Sequence, residues 1–403
     1  MSKMESAPLS LICEVNPRFS KEQRPAADAE VTFIPMAAID ETLAEITTPQ
    51  IRRYSEVSKG FTAFREADVL FAKITPCMEN GKAAIARNLR NGMGFGSTEF
   101  HVLRTGPTVL PEWIYFYIRQ PDFRRRAKAS FRGASGQQRV PADFLENEGI
   151  PLAPISEQRR IVDILSHANG IVQLQRQAAD RAREIIPALF LDMFGDPATN
   201  LMGWPMVEVG QFVSRFQGGK NFRAAGSEEE AGRFRILKVS AVTYGAFKPE
   251  ESKLVPRDYL PPSDHLVRAG DLLFSRANTV ELVGATAYVS STPNDIVLPD
   301  KLWRFIWNKA FKTEPLFVWA LFQTRAIRRD LGRLATGTSG SMKNISQAKL
   351  LRLRVPMPPY AAQRLFADRL EACLVIQAGS MVATQHSEAL FQSLLHRAFS
   401  GML

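Results

Sequence analysis

Two periods of hydrophobicity run through this chain. Around residues 31–40, 64–72, 82–86 and 97–105, apolar side chains come in short runs or at alternate positions, broken by charged turns and by Gly81. That spacing predicts strands. Residues 1–30 read as polar and irregular, with one apolar patch from Leu9 to Val15. From 111 to 130 the composition is helical and split by Pro121. The period then changes. Ile161, Leu165, Ala168 and Val172, followed by Ile185, Leu189 and Phe190, fall at helical spacing and predict one long apolar stripe. Pro151 and Pro154 open this helix, Ser156 is placed to cap it, and Gly195-Asp196-Pro197 ends it. Asn169-Gly170 weakens its middle, and Pro187 is expected to kink its last turns.

The stripe occurs twice. Ile161, Leu165, Leu189 and Phe194 correspond to Phe366, Leu370, Leu394 and Phe399, always 205 residues on (161 to 366, 194 to 399). The segment before each helix repeats as well. Asp68, Phe71, Lys73 and Gly81 meet Asp271, Phe274, Arg276 and Gly284, 203 residues on (68 to 271, 81 to 284). The loop Gly133-Ala134-Ser135-Gly136-Gln137-Gln138-Arg139 meets Gly337-Thr338-Ser339-Gly340-Ser341-Met342-Lys343 at a shift of 204 (133 to 337, 139 to 343). Shifts that drift by only one or two residues mark an internal duplication. The expected order is unit, helix, unit, helix, over 1–154, 155–196, 197–356 and 357–403. The fold class is α+β with a pseudo-twofold repeat, its two long helices antiparallel with their apolar stripes together. Residues 156–194 span about 58 Å if wholly helical. Two reading units set one DNA turn apart need about 34–36 Å.

Composition narrows the class. The 403 residues are 45% hydrophobic and 23% charged, which places the chain among soluble globular proteins large enough for several domains. No apolar run reaches membrane length. Cys13, Cys77 and Cys373 are odd in number and far apart, as expected of a reducing, cytoplasmic setting without a disulfide or zinc framework. The formal net charge is +10, which suggests either an unspecialised basic protein or one with a polyanionic partner, nucleic acid first.

The cations fall in repeated places. Arg124, Arg125, Arg126 and Lys128 follow Pro121 in the first unit, and Arg325, Arg328, Arg329 and Arg333 hold the matching place in the second. Such clusters are either solvated helix faces or phosphate contacts. Lys73 and Arg276 follow strands of the same pattern and either enter a groove or form a structural ion pair. The glycine loops, with Gly133, Gly136, Gly337 and Gly340, let main-chain N–H groups approach phosphate, and Arg139 and Lys343 close them. The plainer reading is a tight turn. Gln137 and Gln138 offer bidentate amides to adenine. Neither loop is a nucleotide-binding P-loop, and Gly218-Gly219-Lys220 fails because Asn221 follows. Pro358-Pro359-Tyr360 lacks the polar residue of an adenine methyltransferase motif, with Met357 in its place. The prolines there read as the approach to a helix. The five histidines show no metal-ligand spacing, so no catalytic or metal site is expected.

At this point the chain resembles the specificity subunits of type I restriction–modification systems. The residues that carry the resemblance are Pro151-x-x-Pro154 with Glu157-Gln158, the junction Phe194-Gly195-Asp196-Pro197 to Gly203-Trp204-Pro205, the run Gly270-Asp271-Leu272-Leu273-Phe274-Ser275-Arg276, and Ala398-Phe399-Ser400-Gly401. The second helix has Ala362-Gln363 where the first has Glu157-Gln158. The resemblance implies two target recognition domains separated by spacer helices. It further implies a bipartite double-stranded DNA target with an unspecified gap. Its partners would be two methyltransferase subunits, which would carry S-adenosylmethionine, and restriction subunits; the chain itself would hold no cofactor. Two other readings stay open on the residues alone. A fused methylase or nuclease would need a carboxylate cluster or cofactor motif. A protein-binding scaffold would bind without the salt dependence of phosphate contacts.

Overall fold

The computed structural model describes residues 4–134, 136–220, 231–243, 245–337 and 342–403. The chain divides into two compact units. One comprises Met1–Ala178 with Ser380–Leu403, and the other Ala179–Gly379. The long helices are Ile155–Phe194 and Tyr360–Phe399, so each unit takes part of both.

The two units are built on one plan. In the first, the strands Cys13–Val15, Phe100–Thr105, Val69–Ala72 and Ala83–Ile85 form an antiparallel sheet in that order. In the second, Val213–Gly218, Leu302–Trp307, Leu272–Ser275 and Thr286–Tyr288 repeat it. A further sheet pairs Glu30–Ile34 with Gln50–Arg53 on one side and, in parallel, with Met93–Gly96 on the other. Its counterpart sets Ala231–Leu237 between Ser252–Pro256 and a parallel Ile296–Val297. Glu5–Pro8 pairs with Gly149–Leu152, and Met206–Glu208 with Arg354–Pro356, so the chain enters and leaves each unit side by side.

The central strands show why their sequence is a continuous apolar run. Val69 and Phe71 join the cluster around Trp113, whereas Leu70 and Ala72 join the cluster around Phe64 and Phe100. A strand buried on both faces needs no alternation. Leu272 and Phe274 against Leu273 repeat the division. The turn before each strand is tied by its aspartate. Asp68 accepts from the Arg65 N–H at 2.7 Å and pairs with Arg104, and Asp271 accepts from the Arg268 N–H at 2.7 Å and pairs with Arg304.

After the sheet comes a helix pair in each unit, Pro111–Ile118 with Pro121–Ala129 and Pro315–Gln323 with Arg325–Leu334. Three of the four begin on proline, which supplies the required φ and has no N–H to leave unbonded. Thr324 caps the fourth by accepting from the Ile327 N–H at 3.4 Å.

The long helices run antiparallel within each unit. In the first, Arg160 donates to the Leu403 carbonyl and Arg176 pairs with Glu388. In the second, Phe366 packs on Phe190 and Phe194 while Gln377 donates to the Ala182 carbonyl. Ile161, Leu165 and Val172 are buried as the stripe predicts. Two expectations change. Ile185 is 46% exposed, and the buried row is Ala182, Ile186, Phe190 and Phe194, a strict spacing of four. Ser156 lies inside the first turn; the Glu157 and Gln158 N–H groups bond to the Pro154 carbonyl instead. The helix continues through both Gly170 and Pro187. No helix among the described residues is long and apolar enough to cross a membrane.

Candidate nucleic-acid interface

In the first unit the glycine loop is a hairpin. Arg132 and Arg139 exchange backbone hydrogen bonds at 3.0 and 2.9 Å. Gly133 and Gly136 both have positive φ, at 121° and 84°. A Cβ on Gly133 would stand 3.0 Å from the Gln137 carbonyl, whereas one on Gly136 would meet open space. The hairpin is fastened to the end of the Val69–Ala72 strand. Val140 N–H donates to the Lys73 carbonyl at 2.9 Å, and Thr75 N–H to the Gln138 carbonyl at 3.0 Å. Lys73 and the hairpin, 60 residues apart in sequence (73 to 133), therefore share one site.

The second unit repeats these bonds. Thr336 and Asn344 exchange backbone hydrogen bonds, both at 2.8 Å, and Ile345 N–H donates to the Arg276 carbonyl at 2.9 Å. Asn278 pairs with Lys343 in a short ladder. Gly337 has a φ of 147°, and Lys343 Nζ donates to its carbonyl at 2.6 Å. Ser135, Thr338, Ser339, Gly340 and Ser341 lie outside the described residues, as does Asn221.

The charges at this site are partly compensated. Arg139 forks onto Glu99 at 2.8 and 2.9 Å and donates to the Gln137 carbonyl. The Arg139 hydrogen bond holds the Glu99 carboxyl below its usual range. Burial pulls the Lys73 ammonium below its ordinary value, against the attraction of Glu99. Arg139 thus holds the carboxylate directly, and Lys73 feels it at longer range. Gln137 is exposed and Gln138 half-buried. Arg276 donates to the Asp300 carbonyl at 2.7 Å, pairs with its carboxylate at 3.4 Å and lies over the Trp303 ring.

The helix cations separate by direction. Arg125 is exposed and pairs with Asp122 within its own helix. Lys128 reaches Glu79, which also accepts from the Thr75 hydroxyl, so this cation borders the hairpin site. Arg126 is tied to the buried Glu148 and to the Tyr117 hydroxyl. Arg325 and Arg329 are exposed. Exposed pairs of this kind contribute little and exchange readily for other anions. Arg124 and Arg328 instead turn inward, each half-buried.

Several residues at this site carried no signal in the sequence. Thr75 and Asn278 join the connecting loop to the hairpin, and Glu99 balances Lys73 and Arg139. His101, 4% exposed, holds the hairpin exit, with Nε2 donating to the Val140 carbonyl at 2.8 Å and Nδ1 3.0 Å from Asn16 Nδ2. The equal length of the two connecting loops, 73–81 and 276–284, was the available hint for the first pair.

Comparison with known proteins adds to this geometry. The family model of the type I restriction modification DNA specificity domain matches residues 1–180. The EcoEI type I restriction enzyme specificity subunit of Escherichia coli is 25% identical over 90% of this chain and 76% of its own length. The EcoAI specificity subunit, also from Escherichia coli, is 33% identical over 45% of this chain and 31% of its own. A solved chain from work on complex assembly and conformational transition of the type I R-M system has a TM-score of 0.57, covering 100% of this chain and 99% of its own at 19% identity. At that identity the likeness is one of fold. With relatives matched along most of its length and one plan of sheets, helix pair and hairpin built twice, the chain is similar to the specificity subunits of type I restriction–modification systems, and the family model covers its first 180 residues.

Proposed function

We propose that this chain reads DNA sequence on behalf of a type I restriction–modification complex and performs no chemistry itself. The observation that supports this best is the doubled site: a glycine hairpin fastened beside Lys73 in one unit and beside Arg276 in the other, the first bordered by the exposed Lys128. Two equivalent sites suit a target in two parts with unread base pairs between. Exposed Arg125, Lys128, Arg325 and Arg329 position the duplex through phosphates, which carry no sequence information directly. Gln137, Gln138 and the hairpin backbone at Gly133, Gly136 and Gly337 face the bases, with Lys73, Arg139, Arg276 and Lys343 beside them. Methyl transfer and cleavage fall to partners: two methyltransferase subunits, holding S-adenosylmethionine, and restriction subunits, in the cytoplasm.

The test is to purify the chain with its genomic neighbours and determine which motif they methylate. A bipartite motif is expected, together with binding whose log affinity falls linearly with log salt. Methyl transfer or strand cleavage by the pure single chain would sink the reading. Salt-independent association with a protein, without DNA binding, would favour a scaffold.

A further inference from the structure

Two of the arginines in the basic clusters do not face solvent with their neighbours. In the first unit the loop between the strands Val69–Ala72 and Ala83–Ile85 closes on Gly81, whose φ is +80°. A Cβ there would stand 2.8 Å from Arg124 Nη1. The same nitrogen points at the Glu79 carbonyl, 3.4 Å away. In the second unit the matching loop closes on Gly284, at φ +79°. A Cβ there would meet Leu331 Cδ1 at 3.0 Å and Arg328 Nη1 at 3.3 Å. Arg328 Nη2 donates to the Glu281 carbonyl at 2.8 Å.

The two arrangements correspond in outline, with Leu331 sharing the cover over Gly284. Each arginine lies on the second helix of its pair, covers a left-handed glycine and points at the carbonyl of a glutamate two or three residues before it (79 before 81, 281 before 284). Neither forms an ion pair among the described residues, and burial lowers both pKa values. Arg124 Nε and Arg328 Nη1 are buried without a hydrogen-bond partner. A half-buried guanidinium without a carboxylate is an electrostatic cost. A cost kept at both copies of a duplication, where other cluster residues differ, calls for a role. Reaching a phosphate is an unsuitable one, because these nitrogens are covered by the fold. The covered loops, however, are the ones fastened to the hairpins, through Thr75 and Gln138 in one unit and Asn278 and Lys343 in the other.

Resting on the DNA-reading assignment, we propose that Arg124 and Arg328 are positioning residues. Each locks its connecting loop against the glycine turn, so that loop and hairpin present a fixed polar edge to one half of the target. Neither touches phosphate.

The experiment uses the full chain in complex with its modification subunits. Selection from randomised duplexes gives the motif, and affinities for matched and mismatched duplexes are then measured across salt. Arg124→Gln and Gly81→Ala perturb one contact from its two sides. Both are expected to reduce discrimination at one half-site about tenfold or more, with the slope of log affinity against log salt unchanged. Arg328→Gln and Gly284→Ala should do the same to the other half-site alone. Arg124→Lys keeps the charge without the planar fork and should not restore discrimination. Arg125→Ala, the comparison, should weaken all sequences alike and reduce the slope by about one. Thermal melts show whether each variant is folded, and agreement between the arginine and glycine variants guards against a folding defect in either. If Arg124→Gln or Arg328→Gln flattens the slope while discrimination is kept, they are phosphate contacts and the proposal falls. Folded variants with slope and discrimination both unchanged would overturn it equally. Absence of selective, salt-dependent binding in the unmodified complex would overturn the DNA-reading assignment itself, and this inference with it.

Discussion

His101 stands where strand, hairpin and N-terminal segment meet, and its neutral ring is the form that fits the hydrogen bonds there. Burial keeps the imidazole below its ordinary value, against the Val140 carbonyl and Glu99, which favour the charged form. The neutral ring satisfies its neighbours, donating to Val140 and accepting from Asn16. As pH falls, the unfolded chain takes up this proton first. The stabilisation is therefore complete above the ordinary value of 6.5 and lost progressively below it. The melting temperature should fall between pH 7.5 and 5.5, and fall less in His101→Gln; equal falls would mean that His101 does not report on this junction. A second pair of buried residues explains a motif that the sequence showed without its purpose. Gln158 is fully buried, accepts from the Leu110 N–H at 2.9 Å and donates to the Thr108 and Ala153 carbonyls. Gln363 accepts from the Glu314 N–H at 3.0 Å and donates to the Pro358 carbonyl. Each glutamine joins the start of a long helix to the start of its unit's helix pair. The Glu157-to-Ala362 difference touches only an exposed pair with Arg160. Gln158→Leu or Gln363→Leu should cost about 1–3 kcal/mol by leaving polar groups unmatched. Glu157→Ala should cost less than about 0.5 kcal/mol. Denaturant unfolding of each variant measures both, and a near-neutral Gln158→Leu would remove the glutamine from this role.

At the level of elements, periodicity and punctuation were legible where one force dominates. The Phe100–Thr105 strand, the break at Pro121 and the two long helices follow from apolar spacing and proline geometry. The duplication was legible because corresponding positions bury corresponding side chains: Ile186, Phe190 and Phe194 against Phe391, Leu395 and Phe399. The exact face of the first long helix was not, because Ile185, Ile186, Leu189 and Phe190 offer two adjacent apolar rows. Packing against Phe317 and Phe366 selects Phe190, and with it Ile186. Likewise Arg124 and Arg125 are neighbours of one chemistry, and only the turn of a helix against Gly81 sends one inward. Lys73 and Gln138 meet through a backbone bond to Thr75, which no side-chain pattern encodes. The helix register carries its own prediction. Ile186→Ala should cost about 2–5 kcal/mol, and Ile185→Ala much less, because Ile186 is 9% and Ile185 46% exposed. Equal losses in denaturant unfolding would mean that the buried row is drawn wrongly.

For the whole molecule, the long helices are shared between units, so on the proposed reading their length bears on the spacing of the target. Ile155–Phe194 passes from the first unit into the second at Ala178, and Tyr360–Phe399 returns at Gly379. The residues around the first crossing are poor in contacts: Gln177, Ala178, Asp180 and Arg181 are exposed, between Arg176 paired with Glu388 and the buried Ala182. An insertion there lengthens the connection without entering either core. Seven residues suit the site better than two, because seven nearly complete two turns and keep the apolar row in phase. They add about 10 Å of helix, against about 3.4 Å per base pair of DNA. A matching insertion after Gly379 keeps the second helix in step with the first. If each unit reads one half of the target, the paired insertion should widen the unread gap by about three base pairs and leave both half-sites as they were. On the proposed reading activity is expected to drop, since a surface offered to partner subunits would change its spacing and the two units would also turn about the duplex. The measurement is the motif methylated in cells carrying the insertion with the partner subunits. A widened gap ties target spacing to helix length. An unchanged gap at full activity would show that the distance between half-sites is set elsewhere, and the assignment of one half-site to each unit would then have to rest on domain exchange alone.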